Sequence, residues 1–363
     1  MITAADSTIT QAEKPKVNFA IAGCGTIART HIEAIKLHPN AQLAALYSSN
    51  MEKATQWGKE FEVSCYTDYE KMLQSPAVDA VIILTPSGRH AEFGIPAARA
   101  GKHVIVEKPI DTTLEKSRQL IEACHQANVK LSCIFQHRFD EAIMALKHAI
   151  ETEKLGPLHF GSSRTTWYRP QEYYDSGKWR GTMALDGGGA LMNQAIHYID
   201  LLLYTMGPVE EVHAYCATRA HERIEVEDIA AAVLKFKSGA IGMIEGNTAA
   251  YPGFETTLDV FGQNGSVRIV SDEVSEWHVK GEENEQKHTE AEVQAAAAGR
   301  DTQKNISVKS FVRQYADIVE AIVQDREPLV NGKEALNSLA LILAIYQSAE
   351  SGKPVALDAF ARN

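Results

Sequence analysis

The sequence predicts a doubly wound α/β domain followed by an α+β domain whose open sheet is mostly antiparallel. Three observations carry that prediction. The 363 residues suffice for two domains at roughly 100–200 residues each. From residue 17 to about residue 130, short apolar runs alternate with stretches of helical periodicity, the pattern of a parallel sheet with helices on both faces. Beyond residue 157 the strand candidates lengthen and hairpin signals join them, which favours antiparallel pairing.

Taken in order, VNFAIAG (residues 17–23) is apolar throughout and stops at glycine, as a strand buried on both faces does. Residues 26–37 continue with helical spacing and end before Pro39. QLAALYS (42–48), VDAVIILTP (78–86) and KHVIVEKP (102–109) repeat the strand pattern, with helices predicted over 51–61, 90–100 and 114–128. In the second half a helix over 190–206 precedes most of the strand candidates, which lie at 158–168, 209–217, 229–235, 240–249, 254–261 and 267–271. Ser238 with Gly239, and Asn264 with Gly265, mark turns between them. Residues 281–305 are polar and predict a surface loop with a short exposed helix. Two amphipathic helices, 310–324 and 333–351, follow. The expected division is a polar tail over 1–15, a dinucleotide-binding domain over 16–135, and a substrate and oligomerisation domain over 136–363. A C-terminal helix is expected to return to the first domain.

Composition narrows the function. Hydrophobic residues at 45% and charged residues at 23% are those of a globular chain. A net charge of −11 argues against a nucleic-acid partner, whose phosphates call for clustered cations. No apolar run reaches the roughly 20 residues that cross a bilayer, and the N-terminal residues lack a secretory pattern. A membrane partner is not expected, and the cytoplasm is the expected location. The five cysteines, Cys24, Cys65, Cys124, Cys133 and Cys216, contain no C-x-x-C pair; they read as reduced thiols, and no metal centre is expected.

Gly23, Gly25, Thr26 and Ile27 belong to a G-x-G-x-x-A turn that ends at Ala28, between a strand and a helix. There the glycines permit a tight turn and close approach of a pyrophosphate, and the helix N-terminus supplies N–H donors. After the second strand come Ser48, Ser49 and Asn50, then Lys53. No carboxylate is present to bind an NAD ribose and repel a 2′-phosphate, so the cofactor reading favours NADP(H), with NAD(H) second; the same residues also suit a helix cap. Glu107 and Lys108 close an apolar run, at the strand rim where open parallel sheets bind ligands.

A glycine turn, Thr85-Pro86-Ser87, Glu107-Lys108-Pro109 and GGGALMNQAIHYID (187–200) occur in this order. Together they resemble the Gfo/Idh/MocA family of oxidoreductases over nearly the whole chain. The resemblance implies a Rossmann domain and hydride transfer between a nicotinamide and a secondary alcohol or ketone carbon of a sugar or sugar derivative. It assigns Lys108, His197 and Asn193 as catalytic, and places Thr85, Pro86, Ser87, His90, Glu107 and Lys108 on the cofactor side. Asn193 lies four residues before His197, on one helix face. Inositol dehydrogenase-like members carry Asp at this place, so Asn193 weakens a proton relay through it and moves the expectation toward nucleotide-linked hexuronates. A nucleotide-sugar 3-dehydrogenase using NAD and a non-catalytic sugar-sensing regulator are the alternatives. Residues 164–180 pack aromatic and basic side chains together, which suits a polar carbohydrate. Arg164, Trp167, Tyr168, Trp179 and Arg180, with Gln136, Arg138 and Asn193, are the substrate-binding candidates. A homodimer or homotetramer is expected.

Overall fold

The computed structural model describes residues 15–282 and 308–360. The predicted tail over 1–15 and the loop over 281–305 therefore lie, apart from residues 15, 281 and 282, outside the described residues.

Six short strands form the first sheet: β1 (Val17–Ala22), β2 (Ala41–Tyr47), β3 (Ser64–Tyr66), β4 (Ala80–Ile83), β5 (His103–Val106) and β6 (Leu131–Cys133). Their order is β3-β2-β1-β4-β5-β6, and every pairing is parallel. β4, with sequence AVII, is buried at all four positions, because helices cover both faces of the sheet. The strand order reverses beside β1, which opens a crevice at the carboxyl ends of β1 and β4, the usual ligand position in such sheets. Helices Ala28–Leu37, Met51–Phe61, His90–Arg99 and Leu114–Gln126 fall within two residues of the sequence expectation. Helix Glu141–Glu151 is an addition to that reading, although its buried Ala142, Ile143, Leu146 and Ala149 keep helical spacing.

The second sheet contains β7 (Leu158–Thr166), β8 (Val209–Ala217), β9 (Ile229–Phe236), β10 (Ile241–Asn247), β11 (Thr257–Gly262), β12 (Gly265–Val270), β13 (Glu273–Val279) and β14 (Val355–Ala356). Its order is β13-β12-β11-β7-β10-β9-β8-β14. Only the central β7–β10 pair is parallel; the rest are antiparallel. Both turn signals, at 238–239 and 264–265, lie between antiparallel partners. One face packs on helix Ile196–Met206: a Cβ on Gly161 would meet Met206 Cγ at 2.6 Å. The opposite face is open and displays Tyr215 (73% exposed), Val233 (58%) and Ile241 (55%).

The segment expected as one helix over 190–206 begins instead as a π-helix, Ala190–Ala195, and becomes α-helical at Ile196. Two further helices, Val308–Val323 and Gly332–Ser351, complete the fold. The first packs on the dinucleotide side: Tyr315 meets Phe19 of β1 edge-on at 5.5 Å, and Phe311 meets His31 at 5.1 Å. All five cysteines are free thiols, and no helix among the described residues is long and apolar enough to cross a membrane.

Candidate active site

The glycine turn has the geometry its sequence requires. Gly23 holds φ +113°, and a Cβ there would sit 2.7 Å from the Leu84 carbonyl oxygen, so only glycine fits without strain. Gly25 is the opposite case: nothing lies within 4 Å of its would-be Cβ. Gly25 and Thr26 are exposed, and helix Ala28–Leu37 begins at Ile27 with no side chain capping it. A bare N-terminus beside open glycine backbone fits a dinucleotide pyrophosphate.

At the end of β2 the structure separates the four expected cofactor residues. Asn50 caps helix Met51–Phe61 by accepting the Lys53 N–H at 2.9 Å, and Ser48 is buried, accepting the Asn50 N–H at 3.3 Å. Ser49 and Lys53 remain exposed. After β4, Thr85 keeps its buried hydroxyl without a partner, and Ser87 opens a short 3-10 turn. His90 is a brace. Its ring nitrogens lie 2.8 and 3.1 Å from the carbonyl oxygens of Pro109 and Thr85, tying the segment after β5 to the segment after β4.

Lys108 projects from the end of β5 and donates to the backbone carbonyl of Asn193 at 2.6 Å. This bond joins the first sheet's rim to the π-helix. Glu107, its neighbour, contacts His31 at 3.0 Å and accepts the Lys108 N–H at 3.0 Å. Burial works to raise the Glu107 carboxyl, but His31 and Lys108 outweigh it and hold it below the usual carboxylate value. Burial lowers Lys108; Glu107 and Asp186 oppose that shift, while the Arg180 cation adds to it, and the ammonium ends below its ordinary value.

Asp186 is a residue the sequence reading missed. Asn193 Nδ2 donates to its Oδ1, and the Gly181 N–H donates to Oδ2 at 2.8 Å. Burial raises the Asp186 carboxyl despite these donors. Asn193 therefore carries no charge of its own but is hydrogen-bonded to a buried carboxylate that also acts on Lys108. The signal was an Asp immediately before the triple glycine at 187–189.

His197 follows on the α-helical stretch, half-buried, with Nδ1 lacking a hydrogen-bond partner. Burial, then the cations His137 and Lys108, hold it well below the ordinary imidazole value. Gln136 is also buried with Oε1 unpaired. Thus three predicted site residues, Thr85, Gln136 and His197, keep an orphaned buried polar atom, a costly arrangement unless a ligand supplies the partner.

Not every candidate joins them. Arg138 is 3% exposed, and its guanidinium binds Asp200 at 2.7 and 2.8 Å and Glu334 at 3.0 Å. That buried ion pair corrects the substrate-facing expectation and makes Arg138 a structural anchor. Arg164 lies on the open face of the second sheet, paired with Glu245 at 2.8 Å; it is not brought to Lys108. Trp167 donates to Thr256 at 3.0 Å, and Tyr168 stands edge-on to Tyr251 at 5.2 Å. From Trp167 an alternating stack runs inward. Arg169 lies 5.0 Å from the Trp167 ring and 5.2 Å from Tyr173, and Arg180 lies 4.2 Å from Tyr173 and 4.7 Å from Trp179. Arg169 is committed to Gln194 at 2.8 Å, whereas Arg180 makes no ion pair among the described residues and its charge bears on Lys108 and Asp186.

Comparison with known proteins gives this geometry a setting. The model of an oxidoreductase family with an NAD-binding Rossmann fold (GFO_IDH_MocA) matches residues 17–135, and the model of its C-terminal alpha/beta domain matches residues 147–357. A myo-inositol 2-dehydrogenase from Thermotoga maritima is 29% identical over 94% of this chain and 99% of its own. Among solved structures, the WlbA dehydrogenase from Bordetella pertussis, in complex with NADH and UDP-GlcNAcA, is 34% identical. It covers 94% of this chain and 98% of its own, with a TM-score of 0.82. An aldose-aldose oxidoreductase from Caulobacter crescentus, complexed with glycerol, is 29% identical over 94% and 99% of the two chains, with a TM-score of 0.79.

Proposed function

Because the chain belongs to the Gfo/Idh/MocA oxidoreductase family and is an NAD(H)-dependent dehydrogenase of sugar-type hydroxyls, we propose that its substrate is an anionic sugar, a hexuronate carried on a nucleotide. The observation that carries this reading is Arg180. Its guanidinium is stacked between Tyr173 and Trp179, lacks a carboxylate partner among the described residues, and acts on Lys108. Glu107 and Asp186 both face Lys108, so Arg180, stacked on aromatic rings and without an ion pair of its own among the described residues, is the cation suited to a substrate carboxylate or phosphate. The UDP-GlcNAcA complex of the Bordetella pertussis relative agrees with that chemistry.

A nicotinamide bound at this rim would supply the hydride acceptor for the substrate carbon. Lys108 and His197 would hold the reacting oxygen and take its proton, with Asn193 and Asp186 setting the lysine. Gly23, Gly25, Thr26 and Ile27 would carry the pyrophosphate. Ser49 and Lys53, exposed just after β2, a strand that ends without a carboxylate, support acceptance of NADP(H) beside NAD(H). The open face of the second sheet, with Tyr215, Val233 and Ile241 exposed on it, supports a homodimer or homotetramer.

Nicotinamide absorbance at saturating NAD+, then NADP+, tests the reading against UDP-hexuronates, free hexuronates, neutral hexoses and inositols. The expected result is turnover of the nucleotide-linked acid, with KM raised about tenfold or more in Arg180→Ala. Preference for a neutral sugar or cyclitol would overturn the anionic assignment. Tight sugar binding without turnover would revive the regulator.

A further inference from the structure

Behind His197 stands a group that the chemistry above does not use. His137, on the 3-10 turn Gln136–Phe139, sets its ring centroid 5.0 Å from that of His197, edge-on at 75°. Its Nδ1 lies 2.7 Å from Asp140 Oδ2 and 3.2 Å from Asp272 Oδ1. The two carboxylates come from distant places: Asp140 precedes helix Glu141–Glu151, and Asp272 sits in the turn between β12 and β13. Each is itself held. Ser310 donates its hydroxyl to Asp140 Oδ1, Tyr198 donates to Asp272 Oδ1 at 2.8 Å, and the Asp272 N–H donates to the Tyr198 oxygen at 3.1 Å.

The ligand atoms of His137, Asp140 and Asp272 lie within 4.8 Å of one another, a spacing that would also suit a cation. Here, however, hydroxyl donors already occupy both carboxylates and the imidazole lies between them, so the cluster closes as an internal ion pair. The titratable groups facing His137 are Asp140 on its own turn, Asp272 from the β12–β13 turn, and His197 and Tyr198 from helix Ile196–Met206; Lys108 acts on the far partner, His197. Burial works against the His137 cation, but Asp272 and Asp140 push its pKa up to about 10. Phe135 closes another side of His197 at 5.7 Å.

We propose that His137 is a positioning residue for the dehydrogenase reaction: clamped by Asp140 and Asp272, it stands as a fixed cation against His197 and keeps that imidazole in its proton-accepting form. This rests on the reading that His197 takes the substrate proton. A permanent positive charge at that distance disfavours a second one on the neighbouring ring. His197 is then ready to accept a proton well below neutral pH, and releases it readily after turnover.

Two measurements on the full chain test this. The first is the pH dependence of kcat and KM, determined separately for wild type, His137→Gln, His137→Arg and His197→Gln. Loss of the cation should move the acid limb of kcat/KM upward by about one unit, giving a deficit that approaches tenfold at pH values below the wild-type limb and vanishes well above it. His137→Arg, which restores a cation, should return the limb toward its wild-type position. A uniform loss at every pH, or an unmoved limb in His137→Gln, would overturn the proposal. If His197→Gln keeps full turnover, the proton-acceptor reading fails; if it is inactive while the His137→Gln limb stays put, only the present inference fails. The second measurement needs no variant. Nitrogen NMR of 15N-histidine protein should show His137 as imidazolium at pH 8 and His197 as neutral imidazole at pH 7, and the reverse assignment overturns the proposal. Stoichiometric Zn2+ binding that disappears with His137→Gln would also overturn it, since the cluster would then be a metal site.

Discussion

At the carboxyl edge of β1 the surface offered to a ligand is backbone, whereas across from it, on the segment from Ala190 to Met206, it is side chains held by other side chains. Gly23 leaves no room for a Cβ, Gly25 has open space around it, and the helix that follows starts with no side chain capping it. Asn193 and His197, by contrast, depend on Asp186, His137 and Lys108, which arrive from outside that segment. The backbone-built region is held by main-chain neighbours: the Tyr47 carbonyl accepts the Gly23 N–H at 3.1 Å, and the Leu84 carbonyl closes on Gly23. The side-chain region inherits its chemistry from whatever packs around it, so a substitution far away in sequence can disable it.

The contrast can be broken at its strongest point first. Arg138 and Asp200 lie beneath the side-chain region as a buried ion pair, with Ser338 donating to Asp200 at 2.9 Å. Arg138→Met should destabilise the fold by about 3–5 kcal/mol by stranding that carboxylate, read as a lower denaturant midpoint. Lys108→Ala should lower turnover by about 10²-fold or more while leaving NADH affinity nearly unchanged in a fluorescence titration; a smaller loss would remove Lys108 from its role. The glycines sharpen the comparison from the other side. Gly23→Ala should cost about 1–3 kcal/mol of stability through backbone strain and the clash with Leu84. Gly25→Ala should melt like wild type and show only weakened nucleotide binding. Equal behaviour of the two variants would refute the division between a structural and a ligand-facing glycine.

The clamp on His137 also sets a pH dependence. The folded-state pKa of His137, at about 10, stands above its ordinary 6.5, so its contribution to stability is complete below pH 6.5 and is lost as pH rises through 10. Thermal unfolding at pH 6.5 and pH 10 should therefore show a larger fall for wild type than for His137→Gln. An identical fall in both would mean that the ion pair with Asp140 and Asp272 contributes nothing.

What the sequence made legible follows the same division. The strands of the first sheet are apolar on both faces, so β1, β2, β4 and β5 stood out, as did the glycine turn whose chemistry is local. That Lys108 sits at a strand end was readable from the apolar run before it, whereas its expected role came from the family resemblance of Glu107-Lys108-Pro109 and the motifs around it. β13 escaped because an edge strand with exposed or half-buried positions throughout carries no apolar alternation. Asp186 and the His137 cluster escaped because their roles arise from tertiary approach: Asp272 is 135 residues from His137, and nothing in spacing links them. Arg138 was misplaced for a related reason. An arginine beside a cleft reads as a ligand-binding cation until its buried partner, Asp200, is seen.

Helix Val308–Val323 has a consequence for the order in which this protein is made. Tyr315 hydrogen-bonds His31 at 2.7 Å, His31 in turn holds Glu107, and Phe311 and Tyr315 cover β1 and its following helix. A nascent chain emerging from the ribosome thus completes the strands of its first sheet long before the segment that seals them has been translated. During that interval Phe19 and His31 lie under no lid, and the brace on Glu107 is missing. The nucleotide half reaches its finished form only after strands β7 to β13 of the second sheet have been synthesised, so a chain cut before residue 308 would carry all the strands of a dinucleotide fold and still lack one of its walls.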